Sequence, residues 1–210
     1  GHMIAIAYTV LFCGLGVQMI RWLMPKKSPP VRAWLGVSLG VLMEMCLPAL
    51  CANLLDFTFA AALLLAAAFV LRGLCLNYET SDYTQFLTVW VDFFRTHGGL
   101  AALREPVGNY NVPYLTFLAL ISGSSLSDLH LIKLFSIFFD VVLAWSVMQL
   151  VGLFRREAAW KLSAFFLVLF WPTVVLNGAL WGQCDSVYAS LAVLSVYLVL
   201  AGHPVLGVVS

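Results

Sequence analysis

Four carboxylates, a histidine and a lysine stand out in this chain because of where they sit. Glu79 and Asp82 come just after an apolar run, and Asp185 closes the stretch Trp181-Gly-Gln183-Cys184 after another. His130, Lys133 and Asp140 fall inside a third apolar stretch, and the seven-residue step from Lys133 to Asp140 puts that pair on one helix face, two turns apart. An ionised side chain at membrane depth is costly and faces the protein interior or a cavity, which makes each of these a candidate for function. The chemistry open to the set is acid–base work by a positioned carboxylate and contact with an anion by Lys133. Tyr110, Asn111 and Tyr114, beside Pro113, are placed to line a pocket. No His-Glu-x-x-His helix, no Gly-Lys-Ser/Thr loop and no metal-spaced cluster occurs, so no resident cofactor is expected. A divalent ion bridging Asp82, Asp185 and a phosphate is chemically open to these residues.

The elements that must position them belong to a membrane protein. Of 210 residues, 62% are apolar and 10% charged, with a net charge of +1, where soluble domains carry about 25% charged residues. One soluble core cannot bury that much apolar surface, and the intervals 3–20, 57–71, 106–127, 162–184 and 186–210 lack Asp, Glu, Lys and Arg altogether. Several approach the ~20 residues that a spanning helix needs. A soluble enzyme, a nucleic-acid-binding domain and a secreted disulfide scaffold are thereby set aside. The five cysteines are odd in number, form no Cys-x-x-Cys pair, and read as small packing residues.

The expected architecture is an all-α polytopic bundle of about six transmembrane helices, with interfacial helices in an external loop. Residues 1–3 read as a cloning scar, residues 4–56 as an N-terminal transmembrane hairpin, and residues 57–210 as a larger module whose external loop spans 77–126. Within the hairpin, helices at 4–23 and 33–54 flank a basic, proline-rich turn, and the second carries Glu44 and Pro48. A tight turn at 53–56 leads to a helix at 57–76, with Arg72 near enough to its end to snorkel. In residues 82–96, apolar residues at 83, 86, 87, 90, 91 and 94 form a helical stripe, predicting an amphipathic helix lying in the membrane interface. The apolar run 112–121 is too short to span. Helices follow at 127–154, 158–176 and 185–200, with a polar turn at 177–185 before the last. His203-Pro204 opens a further apolar helix, so the chain reads as the front part of a longer protein, inactive alone.

Retention of Lys and Arg on the cytoplasmic side puts the turn with Arg155, Arg156 and Lys161 in the cytoplasm, and Asp128 and Asp185 outside. If 112–121 does not span, Asp82 is outside too, and the two carboxylates share a face. The same count puts Lys26, Lys27 and Arg32 outside, against the rule; letting 112–121 span cures that but sends Asp82 to the opposite side from Asp185.

Four stretches occur in an order that resembles a known family: Glu79-Thr-Ser-Asp82-Tyr83 with Trp90 and Gly98-Gly99, Gly108-Asn-Tyr-Asn-Val-Pro-Tyr114, Ile132-Lys133 through Asp140, and Trp181-Gly-Gln-Cys-Asp185-Ser-Val-Tyr188. They resemble the bacterial integral-membrane glycosyltransferases of the GT-C fold, closest to mannosyltransferases related to the enzyme that adds the second mannose of glycosylphosphatidylinositol anchors. The resemblance covers about residues 77–210. It implies inverting transfer of a sugar from a polyprenyl-phosphate carrier to an acceptor hydroxyl of a glycan, lipid or protein, at the outer face of the cell membrane. It also implies that an acidic residue in the first external loop is the base, and Asp82 occupies that place. Asp185, with Gln183, matches the second acidic motif and is expected to bind substrate, together with Glu79, Lys133, Tyr110 and Asn111.

Simpler roles stand beside these. Asp82 can N-cap the amphipathic helix with Gln85 completing a capping box, Glu79 can be a solvated charge, and Asp185 can cap the helix it opens. Lys133 can snorkel or pair with Asp128, Asp140 can make a structural hydrogen bond, and the tyrosines can be interfacial. A transporter or lipid flippase using Lys133 and Asp140 is the competing function, and a non-catalytic membrane subunit a third.

Overall fold

A computed structural model describes residues 10, 13–21, 28–30, 32–33, 36–37 and 59–209. The expected scar at 1–3, most of the hairpin at 4–56 with Lys26, Lys27, Glu44 and Pro48, and the turn at 53–56 lie outside the described residues. The chain divides into two compact units, Gly1–Gly73 and Leu74–Ser210. In the first, residues 13–21 are helical and helix α1, Phe59–Cys75, begins. Its run of Ala and Leu has high intrinsic helix propensity. Arg72 does not snorkel: it is 1% exposed, and Nη1 donates to the carbonyl of Ala68 at 3.3 Å. The guanidinium folds back on its own helix because a buried donor left without an acceptor is costly.

The second unit is helical throughout, and no strand occurs among the described residues. A π-turn at Tyr83–Leu87 runs into α2, Thr88–Thr96, followed by a 3₁₀ turn at Gly99–Arg104. Then come α3, Val112–Ile121, and α4, Asp128–Phe154. Helix α5, Ala158–Leu169, precedes the short α6, Pro172–Val175, which continues as a second π-turn at Leu176–Trp181. Helix α7, Asp185–Leu200, and α8, Pro204–Val209, complete the unit.

The amphipathic stripe forms, but it meets protein rather than lipid. Leu87, Trp90, Val91 and Phe94 are buried in one core with Ala102 of the 3₁₀ turn, Tyr114, Leu115, Leu118, Ala119 and Ile121 of α3, and Ile132 and Cys184. Helix α3 supplies the matching apolar face, and each side chain so removed from water contributes about 1.5–3 kcal/mol. With 10 residues, or about 15 Å, α3 is half the length of a ~30 Å hydrocarbon layer. Arg95 then ties this module to the long helix. Its Nη2 donates to both carboxylate oxygens of Asp128 at 2.8 and 2.9 Å, Nη1 to Asp92 at 2.5 Å, and Nε to the carbonyl of Ser122, just past the end of α3, at 3.1 Å.

Helix α4 has 27 residues and is long and apolar enough to cross a membrane. The single helix expected at 158–176 is instead broken, α5 and the 172–181 segment meeting at 47°. Pro172 is the cause: it has no N–H to donate, and its ring excludes the carbonyl four residues back. Trp171 before it is extended, with φ −62° and ψ 123°, as a residue preceding proline prefers.

Candidate functional site

Thr80 sets the helix that presents Asp82. Its Oγ1 accepts the backbone N–H of Tyr83 at 3.3 Å, the N-cap bond that satisfies one free donor at a helix start, and donates to the carbonyl of Trp181 at 3.4 Å. Asp82 is already helical, with φ −67° and ψ −38°, and makes no cap. The capping box with Gln85 is therefore not formed, because Thr80 takes the role and the Asp82 carboxylate is turned across to another segment.

That segment is the second π-turn and its exit. Asp82 Oδ2 accepts the indole N–H of Trp181 at 2.9 Å and the amide N–H of Gln183 at 2.8 Å. The Gln183 amide is fixed from its other end, since Oε1 accepts from the hydroxyl of Tyr110 at 2.8 Å. Asp82 Oδ1 receives no hydrogen bond from a described residue. Asp82 follows Ser81 into one π-turn and Trp181 closes the other, so both π-turns of the unit converge on this carboxylate; such wide turns recur at functional sites. Gly182 ends the second with φ 77°, a left-handed conformation that strains any residue with a Cβ. A side chain there would also reach 3.5 Å from Ile132 and Lys133.

The carboxylate borders a pocket of about 180 Å³ lined by Asp82, Phe86, Leu87, Trp90, Asn109, Tyr110 and Gln183. Trp90 and Tyr110 meet edge to face, ring centres 5.5 Å apart. Gly108 is needed beneath them: its φ is 69°, and a Cβ would lie 3.1 Å from the Trp90 ring. Burial, reinforced by the nearby Cys184, Asp185 and Asp82, pushes the Tyr110 phenol above its ordinary range, so it stays a donor to Gln183 at neutral pH. Burial also raises the Cys184 thiol. Burial, helped by the charges of Asp128 and Glu79, takes Tyr83 to about 12.

Of the residues singled out in the sequence, Asp82, Gln183 and Tyr110 come together at the pocket. Asn111 is adjacent, its Oδ1 accepting from the hydroxyl of Tyr188 at 2.5 Å. Asp185 is exposed and accepts from the Asn177 amide at 2.7 Å. Asp82 and the 181–185 turn thus lie at one end of α4, against the alternative that sent Asp82 to the other side from Asp185. Glu79 is exposed and does not line the pocket. Lys133 neither snorkels nor pairs with Asp128, which Arg95 holds instead. Lys133 is 1% exposed, and its ammonium donates to the carbonyls of Cys75 at 2.7 Å and Tyr78 at 2.5 Å. The carbonyl of Cys75, at the end of α1, carries partial negative charge that favours a cation; two of the three ammonium donors are thereby used, and burial keeps the third from an external phosphate. His130 Nε2 pairs with Asn77 Oδ1 at 3.0 Å.

Thr80, Phe86, Trp90, Asn109 and Trp181 were not singled out as site residues. Trp181 was legible in outline, as an indole in an otherwise polar turn whose N–H must find an acceptor; nothing in the order of residues points Trp90 at a pocket rather than a core. Among the described residues no three His, Cys, Asp or Glu side chains group as metal ligands. An ion bridging Asp82 and Asp185 would have to draw its remaining ligands from water and substrate oxygens. Comparison of the chain with models of protein families, with curated proteins and with solved structures finds no match.

Proposed function

We propose that this chain acts as a polytopic membrane glycosyltransferase, which moves a mannose-like hexose from a polyprenyl-phosphate carrier to an acceptor hydroxyl at the outer membrane face. The observation that carries the reading is Asp82. One oxygen is anchored by two donors and the other is left unbonded among the described residues, beside a pocket with aromatic walls. A carboxylate held this way is pre-oriented to accept a proton from a hydroxyl, the requirement for inversion in one displacement. Flat apolar rings flanked by Asn109, Gln183 and a carboxylate suit a sugar, whose C–H faces are apolar and whose rim is hydroxyls. In this reading α4, the bent α5–α6 pair, α1 and α7 all cross the bilayer, and the described helices supply four of about six spans.

The competing transporter reading draws less support, because Lys133 and Asp140, its intended path, each make hydrogen bonds within the protein. The test is transfer from a radiolabelled polyprenyl-phosphate hexose by membranes carrying the full-length protein. Asp82→Asn is expected to lower turnover by roughly 10²–10⁴-fold; unchanged turnover would sink the assignment.

A further inference from the structure

We propose that Asp140, buried halfway along α4, is a positioning residue that sets the aim of Asp82 by pinning both roots of the turn that carries its two donors. The inference rests on reading Asp82 as the reactive carboxylate. Asp140 is 0% exposed, and the hydroxyl of Ser186 donates to its Oδ1 at 2.5 Å. On the other side of the same carboxylate lies Gly178, where a Cβ would stand 2.8 Å from both Asp140 oxygens, so the backbone of the π-turn rests directly on the carboxylate. Gly178 and Ser186 bracket the turn. Between them lie Trp181, three residues past Gly178, and Gln183, three residues before Ser186.

Backbone bonds carry the constraint across the turn. The carbonyl of Gly178 accepts from Gly182 at 3.1 Å, and that of Asn177 accepts from Gln183 at 3.0 Å. A shift at Gly178 is thereby passed to the residues that hold Asp82 Oδ2. Packed interiors transmit such shifts because they have little free volume to absorb them. A carboxylate at this depth is expensive, and a role in setting the turn accounts for its presence better than a helix-to-helix bond, which Ser or Asn would supply.

The test reads the Trp181 indole N–H by ¹⁵N NMR on the full chain in lipid nanodiscs, with the resonance assigned by Trp181→Phe. Its hydrogen bond to Asp82 is verified by the shift that Asp82→Asn causes. Ser186→Ala, which removes the hydrogen bond to Asp140, and Gly178→Ala, which forces a Cβ to 2.8 Å from both Asp140 oxygens, are each expected to make that N–H exchange about tenfold faster. Ser136→Ala, a buried change one turn from Asp140 at a hydroxyl bonded only within its own helix, is expected to leave it unchanged. If Gly178→Ala does not fold, Ser186→Ala decides alone. Faster thermal unfolding or a lower midpoint without faster exchange at Trp181 would reduce Asp140 to a structural contact and overturn the proposal. Loss of the transferase reading shows separately, as absent transfer with the indole response intact.

Discussion

Gln183 makes two bonds from the two ends of its amide, the nitrogen donating to Asp82 and the oxygen accepting from Tyr110. Gln183→Glu replaces the donor with a carboxylate facing Asp82, which repels the charge it should hold. It is expected to reduce transfer more than Gln183→Ala, which leaves Trp181 as the remaining donor; the check is kcat for the two variants. Tyr110→Phe removes the outer bond only and is expected to lower kcat by less than tenfold, with the pocket's aromatic wall kept. A second residue-scale effect follows from Tyr83, whose phenol is raised from 10.0 to about 12. Above pH 10 the unfolded chain releases this proton while the folded one keeps it, so the unfolded state binds fewer protons and stability falls as pH rises. The loss is expected between pH 10 and 12, with none below, and Tyr83→Phe flattens that part of a melting-temperature profile. At this scale the sequence was legible where chemistry is rare. A carboxylate, an amide and a tyrosine in an apolar chain stand out, whereas Lys133 misled because a cation near a helix end reads alike whether it meets a phosphate or a carbonyl.

Among the elements, the helices expected at 127–154 and 185–200 are readable from apolar length, whereas apolar length alone runs one helix through Pro172, whose missing N–H marks the break. The stripe along 83–94 was equally legible, but amphipathicity names only the face that leaves water, not what covers it. Lipid and α3 satisfy the same pattern, and α3's own burial depends on contacts from distant parts of the chain. Two elements are held by identifiable features. Gly182→Ala forces a Cβ into φ 77° and is expected to cost about 1–2 kcal/mol, seen as a lower thermal midpoint together with faster Trp181 indole exchange. Arg95→Gln removes the tie between α2 and α4. Because Arg95 is 39% exposed and Asp128 16%, solvent screens the pair, and the expected loss is about 1 kcal/mol. Its signature is greater protease sensitivity in residues 97–104, which follow Arg95 directly, with α4 unaffected.

For the whole molecule, the separation between the two ends of α4 decides sidedness. Its 27 residues make about 40 Å of helix, longer than a ~30 Å hydrocarbon layer. At one end Asp128 pairs with Arg95, and Asp82 meets Trp181 and Gln183 nearby. At the other, Arg155 and Arg156 are exposed, Arg155 lies over the ring of Trp160 at 5.9 Å, and Trp160 is 57% exposed. Under the proposed function, retention of these cations on the cytoplasmic side sends the carboxylate end outward, to the face on which a polyprenyl-linked donor is proposed to be used. Charge counting alone favours the topology that parts Asp82 from Asp185, because it weighs every turn alike, and the short run at 112–121 argues the other way; the bonds from Trp181 and Gln183 to Asp82 tie two distant segments to one end. In a variant without native cysteines, a cysteine at Ser81 is expected to react with an impermeant thiol reagent added to intact cells, and one at Arg156 only after lysis. Gln85→Cys is expected to follow Ser81→Cys, since both are exposed and share the helix start with Asp82. Labelling of Arg156→Cys in intact cells, with Ser81→Cys protected, would put the carboxylate in the cytoplasm, where a nucleotide-linked rather than a polyprenyl-linked donor would be the substrate to test.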